Sequence, residues 1–180
     1  MAVILSGLPA SGKTSLGKKI ADALGLPFLD KDDFLENLFE SEGVGDLPWR
    51  RTLSRKADSL FQSSAQKLGS VVLVSHWRPV GGDQESGTPI EWLVDSYRTV
   101  IEIHCECPPA EALERFFART RHPGHLDNER DKNDVAGTLL KWANSYPLGI
   151  GKVISVSSEP GLNLEHLISQ ISAAASCRQK

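Results

Sequence analysis

The feature that most restricts the fold of this chain is a segment near its start, Gly7-Leu8-Pro9-Ala10-Ser11-Gly12-Lys13-Thr14. Its glycines and its Gly-Lys-Thr ending have the spacing of a P-loop, G-x-x-x-x-G-K-[ST]. An apolar run at 2–5 directly precedes it, and apolar residues recur at helical spacing behind it over 16–24. A buried strand, a glycine loop and an amphipathic helix form the context that this motif needs. The segment therefore predicts a site for the phosphates of a nucleoside triphosphate.

The backbone of the segment explains this prediction. Gly7 and Gly12 permit conformations that side chains forbid, so successive N–H groups turn inward, and the helix adds its positive N-terminal end. Lys13 is expected to reach the β- and γ-phosphates, and the Thr14 hydroxyl is expected to bind Mg²⁺. The alternative is a glycine-rich turn with an incidental lysine. The predicted nucleotide-binding residues of this loop are Gly7, Leu8, Pro9, Ala10, Ser11, Gly12, Lys13, Thr14 and Ser15, with ATP and Mg²⁺ as ligands.

Short apolar runs alternate with amphipathic segments along the rest of the chain. We predict strands at 2–5, 27–30, 71–74, 100–104 and 152–156, with helices between them. Because short buried strands separated by helices pair in parallel through right-handed crossovers, the expected fold is a three-layer α/β/α P-loop NTPase sandwich. We expect a five-stranded parallel sheet of order 2-3-1-4-5, helices on both faces and a small lid. The sequence has no linker or repeat, so we expect one domain over 1–180.

Two local patterns predict helix positions more closely. Thr88 is expected to be an N-cap, with Pro89 at the first helical position and Glu91 completing a capping box. The glycine-rich stretch 41–48 predicts a loop, and the apolar spacing that follows predicts a long helix over 49–68.

Composition restricts the setting in which the protein works. The net charge is −3 and no run of Lys or Arg stands out, which argues against nucleic acid as a partner. Three cysteines, Cys105, Cys107 and Cys177, fit a reducing compartment better than a disulfide framework. No apolar stretch approaches the roughly 20 residues that span a bilayer, and the first residues lack a signal peptide pattern. We expect a complete cytoplasmic protein without a membrane partner, as a monomer or weak homodimer.

Two further segments carry a resemblance to a known group of proteins. The strand and helix start Phe28-Leu29-Asp30-Lys31-Asp32-Asp33-Phe34 and the stretch 107–119, with its Pro pair and its arginines, accompany the P-loop. Together they resemble the small P-loop kinases of the polynucleotide 5′-kinase-like group, with zeta-toxin-like and chloramphenicol phosphotransferase-like relatives. The resemblance implies that Arg115 stacks on adenine, that Arg119 contacts phosphates as a catalytic residue beside Lys13, and that a mobile lid covers 119–134.

The three carboxylates after the second strand are candidates for the catalytic base. A carboxylate opposite the γ-phosphate can accept the proton of the attacking hydroxyl. By position in the resemblance, Asp32 matches the catalytic Asp, while Asp30 and Asp33 remain alternatives and are expected to bind the acceptor. The structural alternative is that all three only cap the helix and favour its positive end.

The segment after the third strand departs from the pattern of the group. Many of its members carry an Asp there, near magnesium, whereas this chain has Ser75-His76-Trp77-Arg78. Magnesium is then held by Thr14, phosphate oxygens and waters, or with help from Asp30 or Asp32 through water. Because ligands bind at the carboxyl ends of parallel strands, Trp77 and Arg78 are predicted to contact the acceptor. A structural role for Trp77 and for His76 remains an equal alternative.

These features together favour an ATP-dependent kinase that moves the γ-phosphoryl group to a hydroxyl of a small molecule or nucleoside. One alternative is a polynucleotide 5′-hydroxyl kinase, which keeps the chemistry and changes the acceptor. It is weakened by the net charge and by Leu35, where some relatives place an acceptor-binding arginine. The other alternative is an ATPase switch module without a dedicated acceptor.

Overall fold

The computed structural model describes residues 1–79, 82, 86–157 and 161–176. The strands are β1 (Ala2–Ser6), β2 (Phe28–Asp30), β3 (Val71–Val74), β4 (Val100–Glu106) and β5 (Lys152–Ser157). The helices are α1 (Lys13–Leu24), α2 (Lys31–Glu42), α3 (Leu47–Ala65), α4 (Glu91–Ser96), α5 (Pro109–Ala118), α6 (Lys132–Ala143) and α7 (Leu164–Ser176). Two short 3₁₀ turns, Pro123–His125 and Asp127–Glu129, lie between α5 and α6.

The five strands form one parallel sheet in the order β2-β3-β1-β4-β5, which confirms the predicted fold and strand order. The register aligns the carboxyl ends of the strands beside the P-loop. Leu5 of β1 pairs with Val74 of β3, and Val74 pairs in turn with Asp30 of β2. The loop after β1, the acidic start of α2 and the segment after β3 therefore meet at one edge of the sheet.

The central strand explains why helices cover both faces of the sheet. All five residues of β1 are buried, and successive side chains point to opposite faces. Val3 and Leu5 pack in a cluster with α1 and α7, whereas Ala2 and Ile4 pack in a second cluster with α3 and α4. Burial of an apolar residue stabilises the fold by roughly 1.5–3 kcal/mol, so a strand apolar on both faces favours a three-layer arrangement.

The predicted helix start at Thr88 is wrong. The helix α4 begins at Glu91 with Ile90 at its N-cap, and the Glu91 carboxylate accepts a hydrogen bond from the Ile90 N–H. Thr88 is instead buried in an isolated bridge to Trp77, because its N–H and its C=O pair with His76 and Arg78. A tertiary backbone pairing has therefore replaced the local capping pattern.

Smaller differences concern element ends. The helix α3 begins at Leu47 and ends at Ala65, so it takes in the end of the predicted loop at 41–48. The Asp46 side chain caps it by accepting a hydrogen bond from the Trp49 N–H. Within the described ranges, no helix is long and apolar enough to cross a membrane.

Candidate active site at the carboxyl edge of the sheet

The P-loop turns away from the sheet through backbone conformations that favour glycine. Gly7 has a φ of +127°, and a Cβ there would lie 2.5 Å from the Cys105 carbonyl oxygen of the neighbouring strand. Gly12 has a φ of +89°, and Ala10 also has a positive φ, of 62°. The close approach of the loop to β4 thus requires glycine at position 7, as the motif predicts.

The N-terminus of α1 presents its N–H groups without a competing side chain. Gly12 is its N-cap, no side chain caps the helix, and its first turn carries no acidic residue. The Lys13 ammonium folds back on the loop and donates to the carbonyl oxygens of Gly7 (3.0 Å) and Leu8 (2.7 Å). Burial lowers the pKa of Lys13 to about 8. This combination of helix dipole, N–H groups and lysine suits a polyphosphate.

Thr14 and Asp30 form the part of the site that suits a magnesium ion. The Thr14 hydroxyl donates to Asp30 Oδ2 at 2.7 Å, and Asp30 Oδ1 caps α2 by accepting from the Asp32 N–H at 3.0 Å. Burial, with the neighbouring Asp32 charge, raises the pKa of Asp30 to about 6. A hydroxyl and a carboxylate are hard oxygen ligands of the kind that Mg²⁺ prefers, so these residues fit the ion.

Asp32 lies on the first turn of α2 and lines the same cavity as the P-loop. Its carboxylate is 48 % exposed and pairs with the Arg121 guanidinium, which comes from the segment after α5. Burial alone raises the pKa of Asp32, but the Arg121 charge, together with smaller effects of His125 and Lys31, outweighs it and holds the pKa below its ordinary value. Asp32 is therefore ionised at neutral pH and able to accept a proton.

Asp33 lies apart from its two neighbours. It is exposed on α2 and does not line the cavity that contains Asp30 and Asp32. Successive helix residues point about 100° apart, so three consecutive carboxylates do not share one face. The predicted acceptor contact of Asp33 has no support in this geometry.

Trp77 is where the predicted acceptor site and the structure differ most. The side chain is fully buried, packs in the cluster on the α3 side of the sheet and donates its indole N–H to the Leu5 carbonyl oxygen at 2.7 Å. A buried Trp that has found a hydrogen-bond partner is a core residue. It therefore cannot cover a substrate. Arg78 does line the cavity, and its guanidinium also donates to the carbonyl oxygens of Ser86 and Gly87.

Arg115 of α5 and Arg119, which directly follows that helix, take different positions. Arg119 follows the helix end and pairs with Asp127 at 3.2 Å, and its Nε is buried without a hydrogen-bond partner among the described residues. Arg115 is half-exposed and pairs with Glu111 one turn earlier. Both side chains line the cavity. Their predicted contacts with phosphate and adenine remain predictions.

The segment 119–131 is docked on α2. His122 contacts Glu40 at 2.9 Å and stacks on Phe39 at 5.2 Å between ring centroids. His125, whose side chain is fully buried, contacts Glu36 at 2.8 Å. Gly124 lies against the Phe39 ring, and a Cβ there would come within 2.5 Å of it. These contacts hold the predicted lid against the helix that carries Asp32.

A buried polar network connects α2 and α3 to the sheet. The Lys31 ammonium donates to Ser54 at 2.6 Å and lies 3.5 Å from Asp58. Asp58 also accepts from the Thr88 hydroxyl at 2.6 Å, and the Thr88 hydroxyl lies 2.5 Å from that of Ser75. The network joins α2, α3 and the end of β3.

Arg50, Lys31 and His76 also line the cavity, although no local sequence pattern assigns them a role. In the described part of the chain, the Arg50 Nε is buried and has no hydrogen-bond partner. From the sequence, Arg50 belongs to a basic helix face that usually faces solvent. Arg50 could have been found from the expectation that α3 packs beside α2 and faces the same edge of the sheet.

The cavity that these residues surround has a volume of about 900 Å³. Its lining includes the P-loop and basic residues of α3 and of the segment after α5. Parts of the two loops that follow β3 and β5, residues 80–81, 83–85 and 158–160, lie outside the described residues.

Comparisons with known proteins agree with this geometry. The shikimate kinase family model matches residues 9–47, which include most of the P-loop and the whole of α2. The shikimate kinase of Chlamydia pneumoniae is 54 % identical over 41 residues, only 23 % of each chain. That of Chlorobium phaeovibrioides is 22 % identical over 94 % of this chain and 86 % of its own. The thermosensitive gluconokinase of Escherichia coli is 28 % identical over 54 % of this chain and 57 % of its own.

Solved structures show the same fold over nearly the whole chain. A protein from Chloroflexus aurantiacus assigned as a kinase superposes with a TM-score of 0.80 at 24 % identity, covering 96 % of this chain and 97 % of its own. The shikimate kinase of Acinetobacter baumannii in complex with shikimate gives a TM-score of 0.62 at 18 % identity, covering 99 % and 95 %. Fold, P-loop and relatives together make this chain a small ATP-dependent P-loop kinase of the shikimate kinase and gluconokinase type, with a hydroxyl group as acceptor.

Proposed function

We propose that this kinase transfers the γ-phosphoryl group of ATP to a hydroxyl of a small anionic molecule, with Asp32 as the catalytic base. One observation carries the proposal. The ionised Asp32 and the P-loop Lys13 line one cavity of about 900 Å³, whose remaining wall is rich in arginine. That volume suits a triphosphate tail together with a small acceptor.

The nucleotide side of the proposal rests on the P-loop. The N–H groups at the start of α1 and the Lys13 ammonium bind the β- and γ-phosphates, and Lys13 exchanges its present carbonyl partners for phosphate oxygens. Arg119 adds charge at the γ-phosphoryl group, since its Nε has no protein partner among the described residues. Thr14 and Asp30 are the residues that would hold Mg²⁺, which would neutralise charge on the phosphate oxygens.

The transfer itself requires one proton acceptor. The acceptor hydroxyl oxygen forms the new bond to the γ-phosphorus while the bond to the ADP oxygen breaks, and the hydroxyl proton passes to Asp32. Asp32 is suited to this because its low pKa keeps it ionised. Asp32 is paired with Arg121 in the present structure. For the hydroxyl to approach Asp32, this ion pair must either open or leave one carboxylate oxygen accessible to the acceptor.

The anionic character of the acceptor is inferred from the arginines that line the cavity. Arg50 has a buried Nε without a hydrogen-bond partner in the described residues, and Arg51, Arg55 and Arg78 line the same cavity. Planar guanidinium groups bind carboxylates and phosphates with paired hydrogen bonds. The relatives named as shikimate kinase and gluconokinase act, by those names, on hydroxylated acids, which supports the same class here.

The same arginines are the observation that favours the second candidate, a kinase acting on the 5′-hydroxyl of a polynucleotide, in line with the resemblance to the polynucleotide 5′-kinase-like group. The net charge of −3 counts against a long nucleic acid. We also propose that the chain forms one domain over 1–180 with a single lid over 119–134. We further propose a cytoplasmic location and a monomer or weak homodimer.

ADP formation measured with a panel of acceptors tests the proposal. Shikimate, D-gluconate and other hydroxy acids are compared with uncharged polyols of similar size, a 5′-hydroxyl oligonucleotide and no acceptor. We expect hydroxy acids to accelerate ADP formation, and Arg50→Gln to raise the KM for the acid more than Arg98→Gln, an exposed control. Acceleration by the oligonucleotide alone supports the second candidate, and acceptor-independent hydrolysis at an equal rate refutes both.

A further inference from the structure

His76 follows β3 and lines the cavity without a role in the chemistry described above. Its ring packs on Trp142 of α6, with 4.2 Å between ring centroids. Its Nδ1 lies 3.4 Å from the Tyr146 hydroxyl. These two neighbours fix the orientation of the imidazole, as expected for a side chain that presents one atom to a ligand.

The partners of Tyr146 determine which ring nitrogen of His76 carries the proton. Burial raises the pKa of Tyr146, so its hydroxyl keeps its single proton. That proton is donated to the Trp77 carbonyl oxygen at 3.2 Å, since a carbonyl can only accept. The phenolic oxygen then accepts from Nδ1–H of His76. Nε2 is left with its lone pair.

Tyr146 contacts Nδ1 of His76, so the ring nitrogen that remains for the cavity lined by this side chain is Nε2. It makes no hydrogen bond to any described residue, and it is not sealed from solvent as the Nδ1 of His125 is. Burial, followed by the charges of Lys13 and Lys31, lowers the pKa of His76 to about 3. The ring is therefore neutral at working pH. A neutral nitrogen lone pair repels phosphate and carboxylate oxygens and accepts a hydrogen bond from an O–H group.

We infer that His76 is a specificity-determining residue whose Nε2 accepts a hydrogen bond from a second hydroxyl group of the acceptor. The inference rests on the proposed function and deepens it: the acceptor is a polyhydroxylated acid, with one hydroxyl at Asp32, an anionic group at the arginines and another hydroxyl at His76. A water on Mg²⁺ is the other source of an O–H group. The charges that act on His76 come from Lys13, Lys31, Asp32 and Arg50, all of which line the same cavity.

Steady-state kinetics of His76→Phe and His76→Gln with paired probes test the inference. Each probe is a panel acid that the unaltered enzyme phosphorylates, shikimate or D-gluconate first, and each is compared with its single-deoxy analogues. Loss of one hydrogen bond to a neutral group lowers kcat/KM by roughly 5- to 100-fold. We expect His76→Phe to show this loss through the KM for the acid. The loss should disappear for the one analogue that lacks the partner hydroxyl. His76→Gln, which keeps an acceptor oxygen, should restore part of the affinity.

Several outcomes would overturn the role of His76. One is an equal loss with every deoxy analogue, and another is a loss seen only in the dependence on Mg²⁺ concentration. Tyr146→Phe gives a second test, since it frees the tautomer of His76 without altering the cavity wall at His76. A KM for the acid unchanged in both His76→Phe and Tyr146→Phe also overturns it. If no acid is phosphorylated by the unaltered enzyme, the proposed function fails first, and with it the inference that rests on it.

Discussion

Replacing Asp30 with asparagine is expected to make the ligand-free protein more stable and the enzyme less active. Asparagine has nearly the shape of aspartate, and it keeps both hydrogen bonds of Asp30. Its Oδ1 accepts from the Asp32 N–H, and its Nδ2 donates to the Thr14 hydroxyl in place of the present bond to Oδ2. What the substitution removes is the charge of a buried carboxylate.

The size of the stabilisation follows from the pKa of Asp30. Its rise from 3.8 to about 6 corresponds to a cost of about 3 kcal/mol for ionising the folded protein. Below pH 3.8 the carboxyl is protonated in both the folded and the unfolded chain, so the variant and the unaltered protein differ little. As the pH rises to about 6, the unfolded chain ionises first and the unaltered protein loses stability, while the variant does not.

Thermal unfolding without nucleotide or Mg²⁺, measured from pH 4 to pH 8, tests this expectation. A gain of about 3 kcal/mol raises the Tm of a domain of this size by roughly 6–12 °C. The increase in Tm of the variant should be near zero at the acid end of this range and should become constant above about pH 6. Asp22→Asn on the exposed face of α1 is the matched control and should shift the Tm little. A variant that is less stable at pH 8, or equally stabilised at both ends, refutes the reasoning.

Three further predictions concern catalysis, the lid and the core. Asp32→Asn should lower kcat by roughly 10²- to 10⁴-fold with the KM for ATP nearly unchanged; unchanged turnover in the ADP assay removes Asp32 from the mechanism. Gly124→Ala should undock the segment 119–131 because its Cβ meets the Phe39 ring, visible as faster amide hydrogen exchange there. Gly137→Ala, where the added Cβ meets no other atom, should leave the exchange of that segment unchanged. Equal exchange rates in the two variants would contradict the packing argument. Trp77→Phe should lower the free energy of unfolding in urea by roughly 1–3 kcal/mol, because the Leu5 carbonyl oxygen loses its indole partner. A changed KM for the acceptor at equal stability would instead show that Trp77 contacts the substrate.

The sequence predicts the sheet and the glycine turn between β1 and α1 because both depend on local signals. The strand order follows from short apolar runs separated by helices. The spacing of the glycines and of Gly-Lys-Thr in the loop at 7–14 is compatible with few backbone conformations. The run of carboxylates at the start of α2 is also a local signal, and it predicts Asp30 and Asp32 as candidates.

The acceptor side was harder to predict because its contacts are long-range. Trp77 follows a strand beside polar residues, and only the tertiary position of the Leu5 carbonyl turns its side chain inward. Thr88 has a capping pattern around it, yet its pairing with the segment after β3 decides its conformation. The pairing of Arg121 with Asp32 joins residues 89 positions apart, and no local pattern records such a contact.

The polar network around Asp58 has a consequence for how this kinase opens and closes. The Asp58 carboxylate accepts a hydrogen bond from Thr88 at the sheet edge and lies beside Lys31 of α2, so α2 and α3 are joined to the segment that follows the central strands. Swinging them outward would break several buried polar contacts at once. We expect substrate entry and product release to depend on the segment after α5, which makes its two histidine–glutamate contacts with α2 the points where turnover can be slowed or accelerated.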